Sequence, residues 1–198
     1  MAEQIGTYHL ADNPTLYEVG RSNNFEFIIH FSKDNKLLPL LRAGIQKETA
    51  TDDDYIENGQ EVIRLSVVSA PVPHFSQEEI AISRGNSKMY AAGVPQFNEG
   101  TVVVNDFIGA GTKSVLMAWQ RLSYDATTEK VGRMADYKMD CRLVEYTPDY
   151  EMVRYWDLKG CWVKGISEDD YNMEDANKRT IKATIRYDRA IPHLPDEI

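Results

Sequence analysis

The strongest pattern along the chain is alternation with a period of two. In NNFEFIIHF, Phe25, Phe27, Ile29 and Phe31 fall on one side while Glu26 and His30 fall on the other. RTIKATIRYD is stricter still, with Ile181, Ala183, Ile185 and Tyr187 set against Lys182, Thr184, Arg186 and Asp188. Both read as strands with one buried face. EEIAISR and SKMYAAGV, separated by Gly85-Asn86, read as a hairpin. GTVVVNDF is dense in β-branched residues, and YKMDCRLVEYT and YWDLKGCWV complete the strand set together with EVIRLSVVSA. Pro71 and Pro73 close that last strand, because neither can donate to a ladder.

A helical period occurs once with clarity. In TKSVLMAWQRLSYDA, Val115, Leu116, Trp119 and Leu122 paint one apolar stripe, and Thr112 stands at the N-cap position. The stretch YWDLKGCWV has apolar residues on both sides. Trp156, Leu158 and Trp162 share one face by parity and are expected to meet the helical stripe, with Gly160 permitting close approach. Residues 47–60 show neither period and read as an acidic loop, and AIPHLPDEI, with two prolines, reads as an irregular tail.

About seven or eight strands and one helix, mostly joined by short turns, predict a mainly β fold. The expected architecture is an antiparallel barrel or sandwich with one flanking helix near residues 112–125. The 198 residues suit a single domain: an N-terminal arm over 1–22, a core over 23–188 and a tail over 189–198. No apolar run approaches the length of a membrane helix. The opening MAEQIGTYHLADNP lacks a basic stretch followed by an apolar core, so no secretory signal is expected.

Candidate chemistry changes this picture little. GAGTKS follows a strand and opens a helix, but Thr112 and Phe107 occupy the positions where a phosphate loop requires glycine. The four histidines lack metal-ligand spacing, and no G-x-S-x-G is present. Asp52, Asp53 and Asp54 are adjacent instead of alternating, unlike a calcium loop. Cys141 and Cys161 lie on neighbouring strands and read as buried, reduced thiols. No enzyme, cofactor or metal centre is expected. With 31 acidic and 22 basic residues the net charge is −9, which disfavours tight binding to nucleic acid. A strand-rich chain with too little helix to cover every edge is expected to complete itself by pairing with identical copies.

The ordered set NNFEFIIHF, RLSVVSAPVP, EEIAISRGNSKMYAAGV, TVVVNDF, the helix with Trp119, YKMDCRLVEY, YWDLKGCWV and TIKATIRYD resembles the tail tube proteins of long-tailed bacteriophages. The likeness is strongest to those of contractile tails, and it spans roughly residues 23–188. The resemblance implies a small barrel with a flanking helix, six copies per ring, and rings stacked into a hollow tube of the virion tail. Such a tube is assembled in the bacterial host cytoplasm and passes DNA. It implies no catalytic residue, and it implies the chain itself, tail sheath, baseplate and tail-terminator proteins as partners.

An acidic lumen would let phosphates slide, and Glu78, Glu79, Asp106 and Asp140 are its candidates. Asp52, Asp53, Asp54 and Tyr55 are candidates for contacts between rings or subunits. Two alternatives share part of the reading. One is the tube protein of a bacterial contractile injection or type VI secretion system, and the other is a monomeric, ligand-binding β-barrel.

Overall fold

The computed structural model describes residues 20–31, 37, 40–41, 52–107, 111–168 and 178–194, and for 52–57 the backbone alone. The expected arm up to residue 19 and the last four residues lie outside it. In chain order the elements are β1 (Phe25–His30), α1 (Asp52–Ser66), β2 (Val67–Ser69), β3 (Phe75–Arg84), β4 (Ser87–Phe97) and β5 (Gly100–Asn105). Next come α2 (Thr112–Ser123), the short pair β6 (Tyr124–Asp125) and β7 (Lys130–Val131), and α3 (Met134–Tyr137). The chain then runs through β8 (Met139–Tyr146), β9 (Met152–Glu168), β10 (Thr180–Arg186) and β11 (Arg189–His193). The mainly β, antiparallel architecture expected from the sequence is present.

One sheet runs in the order β1-β8-β9-β10-β5-β2, and β11 also pairs with β9. The 17-residue β9 therefore serves two halves. Its first half lies between β8 and β11, and its second half pairs with β10. Between these halves Gly160 adopts φ +69°, a left-handed conformation. This shifts the parity of the strand: Leu158 faces the core before the glycine, Cys161 and Val163 after it. Trp162 is thereby turned away from the face it shares with Trp156 by simple alternation, and it packs edge-on against Tyr137 at 5.9 Å. The expected Trp156–Leu158–Trp162 face thus does not form. The carboxylate of Asp188 crowds the place a Gly160 Cβ would take, and Asp188 N–H donates to the Lys159 carbonyl at 2.9 Å. A second bend, at Tyr187–Asp188, follows the first.

The core gathers Phe27 and Ile29 of β1, Val102 and Val104 of β5, Cys141 and Leu143 of β8, and Ile181, Ala183 and Ile185 of β10. Over them lies α2, whose Val115, Leu116, Trp119 and Leu122 stripe is buried as its spacing predicts. Trp119 is fully buried, meets Phe31 edge-on at 6.1 Å and donates from Nε1 to the Tyr137 carbonyl at 2.9 Å. That burial contributes about 2–3 kcal/mol. The helix is capped by Gly111 at φ 69°, not by Thr112. Thr112 is its first helical residue and is buried against Ser66, Oγ to Oγ1 3.0 Å, which satisfies two hydroxyls at once.

Two other expectations need correction. Much of the acidic stretch 47–60 and the start of the strand EVIRLSVVSA form a single helix, α1. Among its described side chains, Gly59, Ile63 and Ser66 are the buried positions, at i, i+4 and i+7. Only one of the three is large and apolar, so the stripe is faint in sequence. The three aspartates suit the positive end of the helix dipole. The absent Gly59 side chain lets the helix approach Leu41 and Phe31. In the C-terminal segment, the first residues form β11, with Pro192 tolerated on an edge strand.

Replacement of Gly160 by alanine is expected to destabilise the protein by about 1–3 kcal/mol, from the left-handed backbone and the crowding by Asp188. The check is the urea unfolding midpoint. An unchanged midpoint contradicts the role given to this bend.

Candidate functional site

The four strands β1-β8-β9-β11 form a sheet with two faces of different character. Register places Phe27, Ile29, Cys141, Leu143, Trp156 and Leu158 on the core side. The opposite side carries Glu26, Ile28 and His30 of β1, then Asp140, Arg142, Val144 and Tyr146 of β8. It continues with Tyr155, Asp157 and Lys159 of β9, then Arg189, Ile191 and His193 of β11. This is a polar face.

Cross-strand pairs organise its charges. Arg142 Nε donates to Asp157 Oδ1 at 2.8 Å and its guanidinium lies 4.5 Å from the centre of the Tyr155 ring. That ring stacks on His193, centroids 4.4 Å and planes 15° apart, and His193 Nε2 lies 3.4 Å from Asp157. Lys159 Nζ reaches Asp140 at 2.7 Å. Glu26 accepts from the Tyr146 hydroxyl at 2.9 Å and pairs with Arg64 of α1. Among the described residues the face holds three carboxylates (Glu26, Asp140, Asp157) and three strong bases (Arg142, Lys159, Arg189), so it is balanced in charge.

Burial opposes ionisation of Asp157, but the hydrogen bond and charge of Arg142, with His193 and Lys159, outweigh it and hold the carboxyl below its usual range. The hydrogen bond to Asp140 raises Lys159, and the bond to Glu26 raises Arg64. In the core, burial and then the hydrogen bond with Cys161 push the Cys141 thiol well above its ordinary value, and both cysteines are free.

The sequence candidates are not brought together. Asp140 lies on the polar face, paired with Lys159. Glu78 and Glu79 sit on β3, and Asp106 follows β5, 3.5 Å from Arg179. Asp52, Asp53, Asp54 and Tyr55 form the first turn of α1. Sequence reasoning missed Arg142, Tyr155, Asp157, Lys159 and His193. The alternation of Tyr155, Asp157 and Lys159 along YWDLKG was visible, but the pairing of all five depends on a register that the alternation does not supply.

Two further features concern surfaces. The β3–β4 hairpin is exposed along its length, and its register puts Ile80, Ile82, Met89 and Ala91 on one side of the ribbon. Ile80 is 54% exposed and Met89 52%. A two-stranded ribbon with such a face is marginal on its own. Second, the sheet edges are open: among the described residues, β1 pairs only with β8, and β11 only with β9. No helix among the described residues is long and apolar enough to cross a membrane.

No protein-family model matches the chain, and no curated protein does. Solved structures do match. A cryo-EM structure of an extracellular contractile injection system, the PVC sheath–tube complex in its extended state, superposes with a TM-score of 0.61 at 13% identity, over 96% of this chain and 99% of that one. The baseplate of the anti-feeding prophage gives 0.60 at 8% identity over 89% and 96%. The tube-terminating cap of the same particle gives 0.58 at 10% identity over 89% and 91%. The chain has the tube-protein fold of contractile injection machines. In this tube fold the polar face and the open edges belong to one four-stranded sheet, and the hairpin stands clear of it.

The state of Asp157 has a pH consequence. Its carboxyl is depressed in the folded state, so the stabilisation is present above about pH 4, the unfolded value, and is lost as pH falls through the lower folded value. Arg142→Ala is expected to raise the Asp157 titration midpoint, read by NMR of the carboxyl carbon, and to move acid unfolding to higher pH. An unmoved midpoint contradicts the pairing.

Proposed function

We propose that the chain is a structural tube subunit whose copies join through the open edges of the β1-β8-β9-β11 sheet into a ring, with the polar face lining a channel. The observation that carries this reading is the even number of strands between two unpaired edges. Because β1 and β11 run in opposite directions, rotation about a ring axis sets β11 of one copy antiparallel to β1 of the next. The alternation then continues around the closed barrel and leaves no edge. A sheet of odd strand number would force a parallel junction.

Six copies per ring and stacking of rings into a hollow tube follow the sequence resemblance. The exposed apolar side of the β3–β4 hairpin supports stacking, since a neighbouring copy covers a surface the chain leaves bare. On this reading Asp140 faces the channel beside Glu26 and Asp157, Glu78 and Glu79 belong to the hairpin contact, and Asp106 lies beside Arg179 near the end of β5. Asp52, Asp53, Asp54 and Tyr55, at the start of α1, remain with contacts between subunits. Sheath, baseplate and terminator proteins are the partners such a tube requires, and the chain carries no catalysis.

A wall with equal numbers of acids and bases holds neither a polyanion nor a polycation tightly. It therefore suits passage of cargo, whether phage DNA, as the sequence resemblance implies, or protein, as in a bacterial injection machine. The unpaired edges of β1 and β11 favour a subunit of a conduit over a monomeric ligand-binding barrel, which closes its own edges.

Electron microscopy of the purified protein is expected to show rings or hollow filaments. The double variant Ile80→Asp/Ile82→Asp is expected to keep its unfolding free energy within about 0.5 kcal/mol of wild type, the range of surface substitutions, and to lose filaments while retaining rings. A wild-type protein that is monomeric at every concentration by light scattering contradicts the proposal.

A further inference from the structure

The two free edges restrict how copies can meet more tightly than ring formation alone requires. We propose that β11 of one copy pairs with β1 of the next in a single register, with Ile191 opposite Ile28. This rests on the ring reading above and adds to it a residue-level interface.

The first restriction is parity. Glu26, Ile28 and His30 point to the polar face from β1, and Arg189, Ile191 and His193 point there from β11. For the faces of two copies to be continuous, polar-side residues must oppose polar-side residues, because a shift of one residue turns the whole strand over. Allowed registers therefore differ by steps of two.

The second restriction is overlap. Among registers of the allowed parity, the five residues of β11 find partners along their whole length in the six of β1 only when residues 189–193 oppose residues 30–26. The backbone groups that the two edges expose then meet partners within a strand, except that Pro192, opposite Phe27, has no N–H to donate.

Side chains agree with this register at two of the three polar-side pairs, while the third sets Arg189 opposite His30. Ile191, 41% exposed in the single chain, meets the half-buried Ile28. His193 comes opposite Glu26, joining the carboxylate already served by Tyr146 and Arg64 to the Asp157–His193–Tyr155–Arg142 group. On the core side Ala190 opposes Ile29 and Pro192 opposes Phe27. In contrast, a slip of two residues one way sets Ile191 against Glu26, and the other way sets it against His30. Each slip also carries residues of β11 past the end of β1. Opposite charges and apolar pairs directly across a ladder are favourable, and an isoleucine facing a carboxylate forfeits both. The ladder of polar contacts within one copy thus extends across the junction, from Arg142 and Asp157 through His193 to the neighbour's Glu26.

Disulfide trapping tests the register on the full chain. Ile28→Cys/Ile191→Cys, oxidised after assembly, is expected to give a ladder of covalent oligomers on non-reducing gels that ends at the closed ring. The slipped registers have their own reporters, Ile28→Cys/Arg189→Cys and Ile28→Cys/His193→Cys. These are expected to cross-link roughly tenfold more slowly, because diagonal neighbours lie beyond easy disulfide reach. The native cysteines are buried, so wild type serves as the blank.

Should a double variant fail to fold, the two single variants mixed in equal amounts are expected to give covalent dimers and nothing larger. Rings by microscopy combined with faster trapping of either slipped pair overturn the register while leaving the ring reading intact. A monomer by light scattering with no trapping in any pair overturns both.

Discussion

The fold depends on one bend in one strand. Gly160 lets β9 change the side it shows to the core, so that a single 17-residue strand takes part in a polar-faced sheet with β8 and β11 and in a second layer with β10. Without the change of parity, either the first half of the strand would present Tyr155, Asp157 and Lys159 to the core, or the second half would turn Cys161 and Val163 to water. The chain follows the same course on the partner strand, where Tyr187 and Asp188 separate β10 from β11. Lys138 Nζ closes on the Asp188 carboxylate at 2.6 Å and fastens the corner to the start of β8. A core of modest size can thereby be wrapped by a continuous ladder, with α1 and α2 packed against it.

Bending the sheet leaves its margins open. A monomeric barrel closes its own edges, but here β1 and β11 end on opposite sides of a four-stranded sheet with nothing described beyond them. The hairpin adds a further exposed apolar strip. Unpaired edges invite indiscriminate association unless a defined partner takes them, and the alternating direction of four strands would let an identical copy serve, as proposed. The polar face, in turn, is built of cross-strand ion pairs and stacked rings instead of loops.

Much of this was legible in sequence where the pattern follows a single period. The alternation in FEFIIH and TIKATIR located β1 and β10, and the stripe through Trp119 located α2. What was missed has physical causes. The stripe of α1 runs through Gly59 and Ser66, chosen for close approach and for a buried hydroxyl pair, so it lacks the apolar signal. Pro192 argued against a strand, yet an edge position tolerates it. Trp162 was assigned to the wrong face because a left-handed glycine breaks the count.

At the candidate site, Asp140 was found because it is an acid on a strand. Its neighbours Lys159, Arg142 and Asp157 escaped because ion pairing across strands is a property of register. The excess of acid over base in the whole chain does not lie on the polar face, whose described acids and bases balance.

The central claim is that copies close their open margins upon one another. Amide hydrogen exchange, followed residue by residue in dilute and in assembled protein, tests it most directly. The account predicts that amides along β1 and β11 slow by about tenfold or more on assembly, while those of the internal strand β8 change little. Equal exchange at β1 and β11 in the two states, in a sample shown to be assembled, would contradict it.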